Sequence, residues 1–426
     1  MSPEEQEIFK KRITIIDFSD AERVTPYNIL AHHPYLADEL MVSNRIDTIA
    51  EQFSGISEMS VRMRMILKYF FLLMAEFNLS VSFFESLCSD PVLLRRLVEQ
   101  SKNPQVRDYF LYRFEDENTS TLLAIRQRID AFLISEGVRL SLSATSAPDF
   151  TLLQDQGNPT LIRTAGANIT SGVRETLDGL CLSDIKQSVF RRSNPQQKFL
   201  WFFDEAQNLF KTRSNREHMI DLLTMSRSFG SFFALLTQSL TSAVRDPDII
   251  NSILANVRWI VMLRSTLRDA ELIAPAIPVT GTMMKPKHHP FETTKSLTEA
   301  EELKLKLKEI TRFPDRQAYC WLKASLDMAV KITTPHVPDP HEVAGCSLKD
   351  FEDFARAEPL GQGIPKCEIL KQIAEQRQRL TGVIHTQLDP LATEPQPSTL
   401  EEKEGRQSLV KSLEEKYGQK KDQTKR

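Results

Sequence analysis

The stretch Phe199-Leu200-Trp201-Phe202-Phe203-Asp204-Glu205-Ala206-Gln207 holds the residue types best placed to do chemistry. Five apolar residues in a row have no polar face, as expected of a parallel strand covered on both sides. They deliver two adjacent carboxylates to the C-terminal edge of such a strand, where α/β sheets place ligands. Asp204 could there hold a divalent cation while Glu205 takes a proton from an attacking water. A plainer reading fits the same residues: Asp204 caps a following helix and Glu205 favours its dipole.

Two further residues follow in order. The apolar run from Phe232 ends in Thr237-Gln238-Ser239, and an amide at that edge could touch both a γ-phosphate and the water attacking it. An ordinary strand-end turn would also place a glutamine there. Arg227 closes the intervening helix, either as a cation favoured at a helix C-terminus or as an arginine reaching a neighbouring subunit's nucleotide. Acid pair, arginine and glutamine in this order are rarer together than any one of them.

The elements that must position them read as strand and helix in alternation, which predicts an α/β domain with a mostly parallel sheet. Ile13–Asp17 is a β-branched strand, and a turn-rich stretch over Ser19–Asn28 follows it. From about Pro34 to Glu136 apolar residues recur at helical spacing, and Pro91 and Pro104 open two of the helices. The apolar stretch Met63–Phe77 is interrupted by Arg64, Lys68 and Glu76, so it reads as a buried helix. Strands are expected at Leu161–Thr164, Phe199–Phe203, Phe232–Thr237 and Trp259–Leu263, with helices over Ser171–Arg192, Arg216–Phe229 and Pro247–Asn256. Ala318–Leu322 and Met328–Ile332 suggest a hairpin. The domains expected are a core remnant at 1–33, an all-α insertion at 34–143, the remaining core at 144–335, and an extension at 336–426 with a mobile tail from about 389.

Composition bounds the function. The 426 residues carry 54 Lys+Arg against 57 Asp+Glu, a formal charge of −3, which argues against a basic nucleic-acid coat protein. Apolar residues make up 41%, enough for a sizeable core. The 5 cysteines show no CxxC spacing, so neither a disulfide scaffold nor a zinc ribbon is indicated. His32-His33 and His288-His289 sit beside prolines without matching ligands and read as loop residues. The N-terminus is acidic and polar, unlike a secretory signal, and a cytoplasmic protein is expected. Arg62, Arg64, Lys68, Arg95, Arg96, Lys102, Arg107, Arg113, Arg126 and Arg128 could contact DNA phosphates or simply solvate the helical block. Lys416–Arg426 reads as a solvating tail or an electrostatic contact.

Asp204-Glu205-Ala206-Gln207, Arg227, Gln238, and the opening Asp17-Phe18-Ser19-Asp20 with Pro26-Tyr27-Asn28-Ile29-Leu30 resemble the HerA/FtsK superfamily of DNA-pumping ATPases. More narrowly, they resemble the coupling ATPases of conjugation and type IV secretion. The resemblance covers roughly residues 13 to 335. It implies a RecA-like P-loop NTPase core interrupted by an all-α domain, ATP and Mg²⁺ as cofactors, and a homo-oligomeric ring, usually hexameric, around DNA read without base specificity. It makes Asp204 the Mg²⁺-side acid, Glu205 the water-activating base, Gln238 the γ-phosphate sensor and Arg227 a finger acting across the subunit interface. It also implies secretion-channel or membrane partners at the cytoplasmic face of the inner membrane.

One departure is large. The family carries a phosphate loop, GxxxxGK[ST], whose backbone N–H groups and lysine cradle the phosphates. None of the 14 glycines here is followed by lysine. The strand and helix carrying that loop would precede Met1, so the chain is expected to be part of a split or truncated gene, or to have lost the activity. Without that strand, the one ending near Gln238 should present an unpaired apolar edge. An upstream polypeptide is then expected to complete the sheet; otherwise the chain alone is poorly stable. The rival class is a non-catalytic DNA-binding or assembly module that kept the fold. A third, an unrelated helical interaction protein, would make the residue set a coincidence.

Overall fold

The computed structural model describes residues 12–31, 39–53, 59–114, 119–239, 247–281, 296–323, 329–350 and 363–385, together with Ile8 and Met283. The chain divides into two units, Met1–Gln376 and Arg377–Arg426, and the strands and helices as far as Pro365 lie wholly in the first. Both histidine pairs and the tail from 389 lie outside the described residues.

β-Branched residues favour a pleated strand, and Thr14–Asp17 (β1) forms one, paired in parallel with Thr160–Arg163 (β3) so that Ile16 lies opposite Ile162. The chain between them makes the short strand Arg23–Val24 (β2) and then helices: Glu39–Gln52 (α1), Val61–Glu76 (α2), Phe84–Ser89 (α3), Pro91–Gln100 (α4), Pro104–Tyr112 (α5), Thr119–Phe132 (α6), Glu136–Ser143 (α7) and Phe150–Gln156 (α8). The prolines open α4 and α5 as expected, each behind a capping side chain, Asp90 and Asn103. Most of α2 is buried, with Phe70 edge-on to Phe110 at 5.1 Å. Among the described residues no single helix is long and apolar enough to cross a membrane.

The Pro26–Leu30 turn is the joint between this helical block and the core. Tyr27, fully buried, donates its hydroxyl to Asp184 Oδ2 at 2.8 Å. Asp184 Oδ1 pairs with Arg45 of α1 at 3.2 Å, and Arg45 also reaches the Ile29 carbonyl at 3.3 Å. Burial, followed by the Asp184 charge, holds the Tyr27 hydroxyl well above its usual pKa, so it stays a donor.

The second half alternates as the sequence indicates: Ser171–Phe190 (α9), Phe199–Phe203 (β4), Arg213–Met225 (α10), Ser231–Leu235 (β5), Pro247–Asn256 (α11) and Trp259–Met262 (β6). Leu267–Ile273 (α12), Glu299–Ile310 (α13), and the antiparallel hairpin Gln317–Leu322 (β7) and Val330–Thr333 (β8) follow. After Pro340–Ala344 (α14) come Ile364–Pro365 (β9) and Lys366–His385 (α15). Part of the C-terminal extension is thus core structure. β9 pairs with β2, Ile369 is fully buried, and Lys366 bridges to Glu136 at 2.8 Å.

The mostly parallel sheet expected from the alternation appears, among the described residues, as separate small sheets, two of them parallel pairs. β4 and β5 pair in parallel, Phe199 to Ser231 through Phe203 to Leu235, whereas β6, β7 and β8 form an antiparallel sheet. Among the described residues no ladder joins β3 to β4 or β5 to β6. β4 is also not covered on both faces. Trp201 is buried, its indole N–H directed at Gln154 Oε1, but Leu200, Phe202 and Phe232 are 49%, 67% and 40% exposed. Register places Leu200 beside Phe232, so one apolar face of the pair lies open.

The covered face rests on a polar hub. The Arg192 side chain, fully buried, gives hydrogen bonds to Asp155 (3.0 Å), Phe229 O (3.1 Å), Ser231 Oγ (3.2 Å), Asn194 O (3.0 Å) and the Gln197 carbonyl. It fastens the points where β4 and β5 begin. Gly230, at φ 71°, makes the turn into β5, and a Cβ there would lie 2.2 Å from Pro195 O.

Candidate active site

β4 and β5 run side by side and end together. Past their last paired residues Leu236 N–H still donates to Phe203 O at 2.9 Å, and Ala206 N–H to Leu236 O at 2.8 Å. These bonds hold the loop after β4 against the loop after β5. At that rim Gln238 Nε2 donates to Glu205 Oε1, and Gln207 Nε2 donates to Glu205 Oε2. The acid and the amide expected to work together are therefore in contact, and both Glu205 oxygens are engaged by amides.

Glu205 adopts φ 51°, ψ 40°, the left-handed conformation that a non-glycine residue enters at a cost of about 1–3 kcal/mol. This backbone turns the chain sharply out of β4 and into a 3₁₀ turn over Ala206–Phe210. Asp204 is exposed; its Oδ1 accepts from the Glu205 N–H at 3.0 Å, and no cation pairs with it among the described residues. The capping reading of the acid pair is not what forms. No side-chain cap opens the 3₁₀ turn, and α10 is capped by Thr212.

Arg227 stands apart. It lies exposed in a 3₁₀ turn over Ser226–Phe229, at the opposite end of β5 from Gln238. The strand Ser231–Leu235 between them spans about 13 Å at about 3.3 Å per residue. Within one chain Arg227 is therefore not part of the rim cluster.

Three other residues bear on the rim. Gln207 Oε1 is buried with no hydrogen-bond partner among the described residues, an acceptor in want of a donor beside Glu205. Ser239 donates to Asp269 Oδ1 at 3.1 Å, and Asp269 also accepts from Thr266 Oγ1 at 2.8 Å. That link ties the loop after β5 to the start of α12, directly after β6. The loops that follow β5 and β6 are thus linked, although among the described residues no ladder joins the two strands. The spacing Thr266-x-x-Asp269 is a helix-start signature that sequence could have flagged. Gln207 already stands in the acid-pair motif of the sequence, but its bond to Glu205 follows from the tight turn.

The residues present fit a divalent cation better than a triphosphate. An exposed carboxylate without a paired cation suits Mg²⁺, and the orphaned Gln207 acceptor suits a water donor. The phosphate oxygens need N–H donors and a lysine, and this sequence has no glycine–lysine pair to form that loop. Elsewhere Asp339, His341 and Glu342 have ligand atoms within 4.8 Å of one another, but the two acids form the capping box of α14. In the helical block Lys68, Arg95 and Arg126 are spent on Asp47, Glu99 and Glu85.

No protein-family model and no curated protein matches the sequence. Among solved structures the chain is similar to the plasmid coupling protein TrwB in complex with the non-hydrolysable GTP analogue GDPNP. The two share 15% identity over 77% of this chain and 75% of that one, with a TM-score of 0.46. TrwB in complex with ADP and Mg²⁺ gives the same values, 15%, 77%, 75% and 0.46. VirB4 of Thermoanaerobacter pseudethanolicus is similar at 11% identity over 79% of this chain and 80% of that one, with a TM-score of 0.48.

Proposed function

We propose that this chain supplies the water-activating half of a nucleoside triphosphatase site in a ring-forming, ATP-dependent DNA translocase of the conjugative coupling type. The observation that carries the reading is the Gln238–Glu205 hydrogen bond across the ends of two adjacent parallel strands. An acid and an amide at that rim can hold one water between them and a phosphorus atom. Glu205 takes the water's proton, and Gln238 orients the water and senses the γ-phosphate. Asp204 would hold Mg²⁺, which when bound neutralises charge on the phosphate oxygens. Arg227, exposed and remote from its own rim, would act on a neighbouring subunit's nucleotide.

The donors for the triphosphate come in this reading from a polypeptide bearing GxxxxGK[ST], added as a strand along the free edge of β5 and over Leu200, Phe202 and Phe232. Phosphate release measured with this chain, with such a polypeptide, and with both together tests it. Hydrolysis should appear only in the mixture and fall by about 10²–10⁴-fold in Glu205→Gln. Activity in the mixture that ignores Glu205→Gln removes Glu205 from the chemistry, and no activity in any mixture favours a non-catalytic assembly or DNA-binding module.

A further inference from the structure

Gln238 stands where no regular element holds it. β5 ends at Leu235, and Gln238 follows on an exposed bend. Holding an exposed side chain at one place costs backbone and rotamer freedom, so a contact as definite as Gln238–Glu205 calls for anchors on the loop itself. Two flank it. Leu236 N–H donates to Phe203 O at 2.9 Å and ties the loop to the end of β4. Directly after Gln238, Ser239 Oγ donates to Asp269 Oδ1 at 3.1 Å, 30 residues along the chain.

Asp269 is the fixed end of that bond. It is 3% exposed, and a carboxylate buried so far must have its oxygens hydrogen-bonded. Oδ2 accepts from Thr266 Oγ1 at 2.8 Å, and the Asp269 N–H donates to the same hydroxyl at 3.2 Å, which caps α12. The helix start thus accounts for one oxygen and leaves Oδ1 directed at Ser239. Behind it, Ala270 and Ile273 pack in one buried cluster with Ile310, Phe313 and Trp321. α12 cannot shift without disturbing that core, whereas the Gln238 loop can.

We infer that Asp269 is a positioning residue for Gln238: through Ser239 it fixes where the loop after β5 stands, and so whether the amide reaches Glu205 and the water between them. The catalytic consequence rests on the roles proposed above for Glu205 and Gln238; the anchoring of the loop does not. Asp269 acts through one hydrogen bond and one peptide unit, and a misplacement of about 1 Å at a reacting group can cost about 10²-fold in rate.

Amide hydrogen exchange of the full chain, without nucleotide or any second polypeptide, reads the anchor directly. In Ser239→Ala the Leu236 N–H should exchange about five- to tenfold faster. Ser239→Thr keeps the hydroxyl and should stay within about twofold of the parent. Asp269→Asn keeps the volume and an acceptor but not the charge, about halving the bond, and should fall between parent and Ser239→Ala. The double variant should exchange no faster than Ser239→Ala alone, since both changes strike one bond. In the phosphate-loop-complemented enzyme Ser239→Ala should lower kcat about tenfold with KM within about twofold. In a Gln238→Ala background the same change should cost no more than about twofold, whereas a general loss of structure would multiply through. Parent-rate exchange at Leu236 in Ser239→Ala, additive exchange effects in the double variant, or multiplicative rate losses with Gln238→Ala would each overturn the inference. Hydrolysis that is absent from every mixture, or indifferent to Glu205→Gln, strikes the proposed function instead, and the exchange rates still decide whether Asp269 holds the loop.

Discussion

Arg192 offers the sharpest test of how the two central strands are aligned. Its guanidinium is wholly buried, ion-paired to Asp155 at 3.0 Å, and also serves carbonyls at Phe229 and Asn194 and the hydroxyl of Ser231. In Arg192→Met the stem volume is largely kept, so little of the loss is cavity formation. Asp155 keeps its bonds from Ser193 N–H at 3.0 Å and Oγ at 2.7 Å, but the backbone acceptors at the start of β4 and β5 lose their donor. Breaking a buried pair from one side costs about 3–5 kcal/mol. With a urea slope of about 3 kcal/mol/M the midpoint should fall by about 1–1.7 M. Arg192→Lys keeps the charge without the planar fork and should fall between the two. Urea titration followed by tryptophan fluorescence is a suitable assay, since Trp201 shares Gln154 with Ser231 above this hub. A shift below about 0.3 M, roughly 1 kcal/mol on the same slope, would mean that Arg192 does not hold the strand entries together.

Other expectations attach to individual sites. Asp184→Asn, which breaks the Arg45 pair and weakens the Tyr27 bond, should cost about 3–5 kcal/mol, whereas Tyr27→Phe should cost about 1–2 kcal/mol; urea midpoints compare the two. Burial, and then the Lys186 charge, pushes the His218 imidazole down to about 4. A base whose folded pKa lies below its usual 6.5 stabilises the fold fully above that value and progressively less as pH falls toward 4. Stability should therefore decline between those pH values, and His218→Gln should flatten that decline. Glu205→Gly relieves the left-handed backbone and should leave stability unchanged or raise it by about 1 kcal/mol while abolishing hydrolysis in the complemented enzyme. Phe202→Ser, at a 67% exposed position, should change stability by no more than about 0.5 kcal/mol yet reduce self-association measured by light scattering.

Much of the organisation was legible because local signals agreed with tertiary structure. The β4 run, the α11 boundaries and the proline-opened helices α4 and α5 appear where apolar runs and capping residues place them. The acid pair and Gln238 met at one rim because parallel strands in register bring their C-termini together. What sequence could not reveal depended on what lies beside an element rather than within it. The uniform apolarity of Phe199–Phe203 reads as full burial, yet alternate residues are exposed because no described strand or layer covers them. Antiparallel pairing of β6 with β7 was hidden for the same reason, since both pairings suit a β-branched and aromatic run. Arg227 shares sequence proximity with the site but lies beyond the other end of β5. The contacts that Gln207 and Ser239 make at the rim became visible only through their partners.

The pairing of Glu205 with Gln238 as a water-activating unit is tested most directly by phosphate release in the phosphate-loop-complemented enzyme through a double-mutant cycle of Glu205→Gln and Gln238→Ala. Two side chains acting on one water should be strongly non-additive, the double variant being little slower than Glu205→Gln alone. Fully multiplicative losses, or hydrolysis that persists in Glu205→Gln at the parent rate, would contradict a shared site at the ends of β4 and β5.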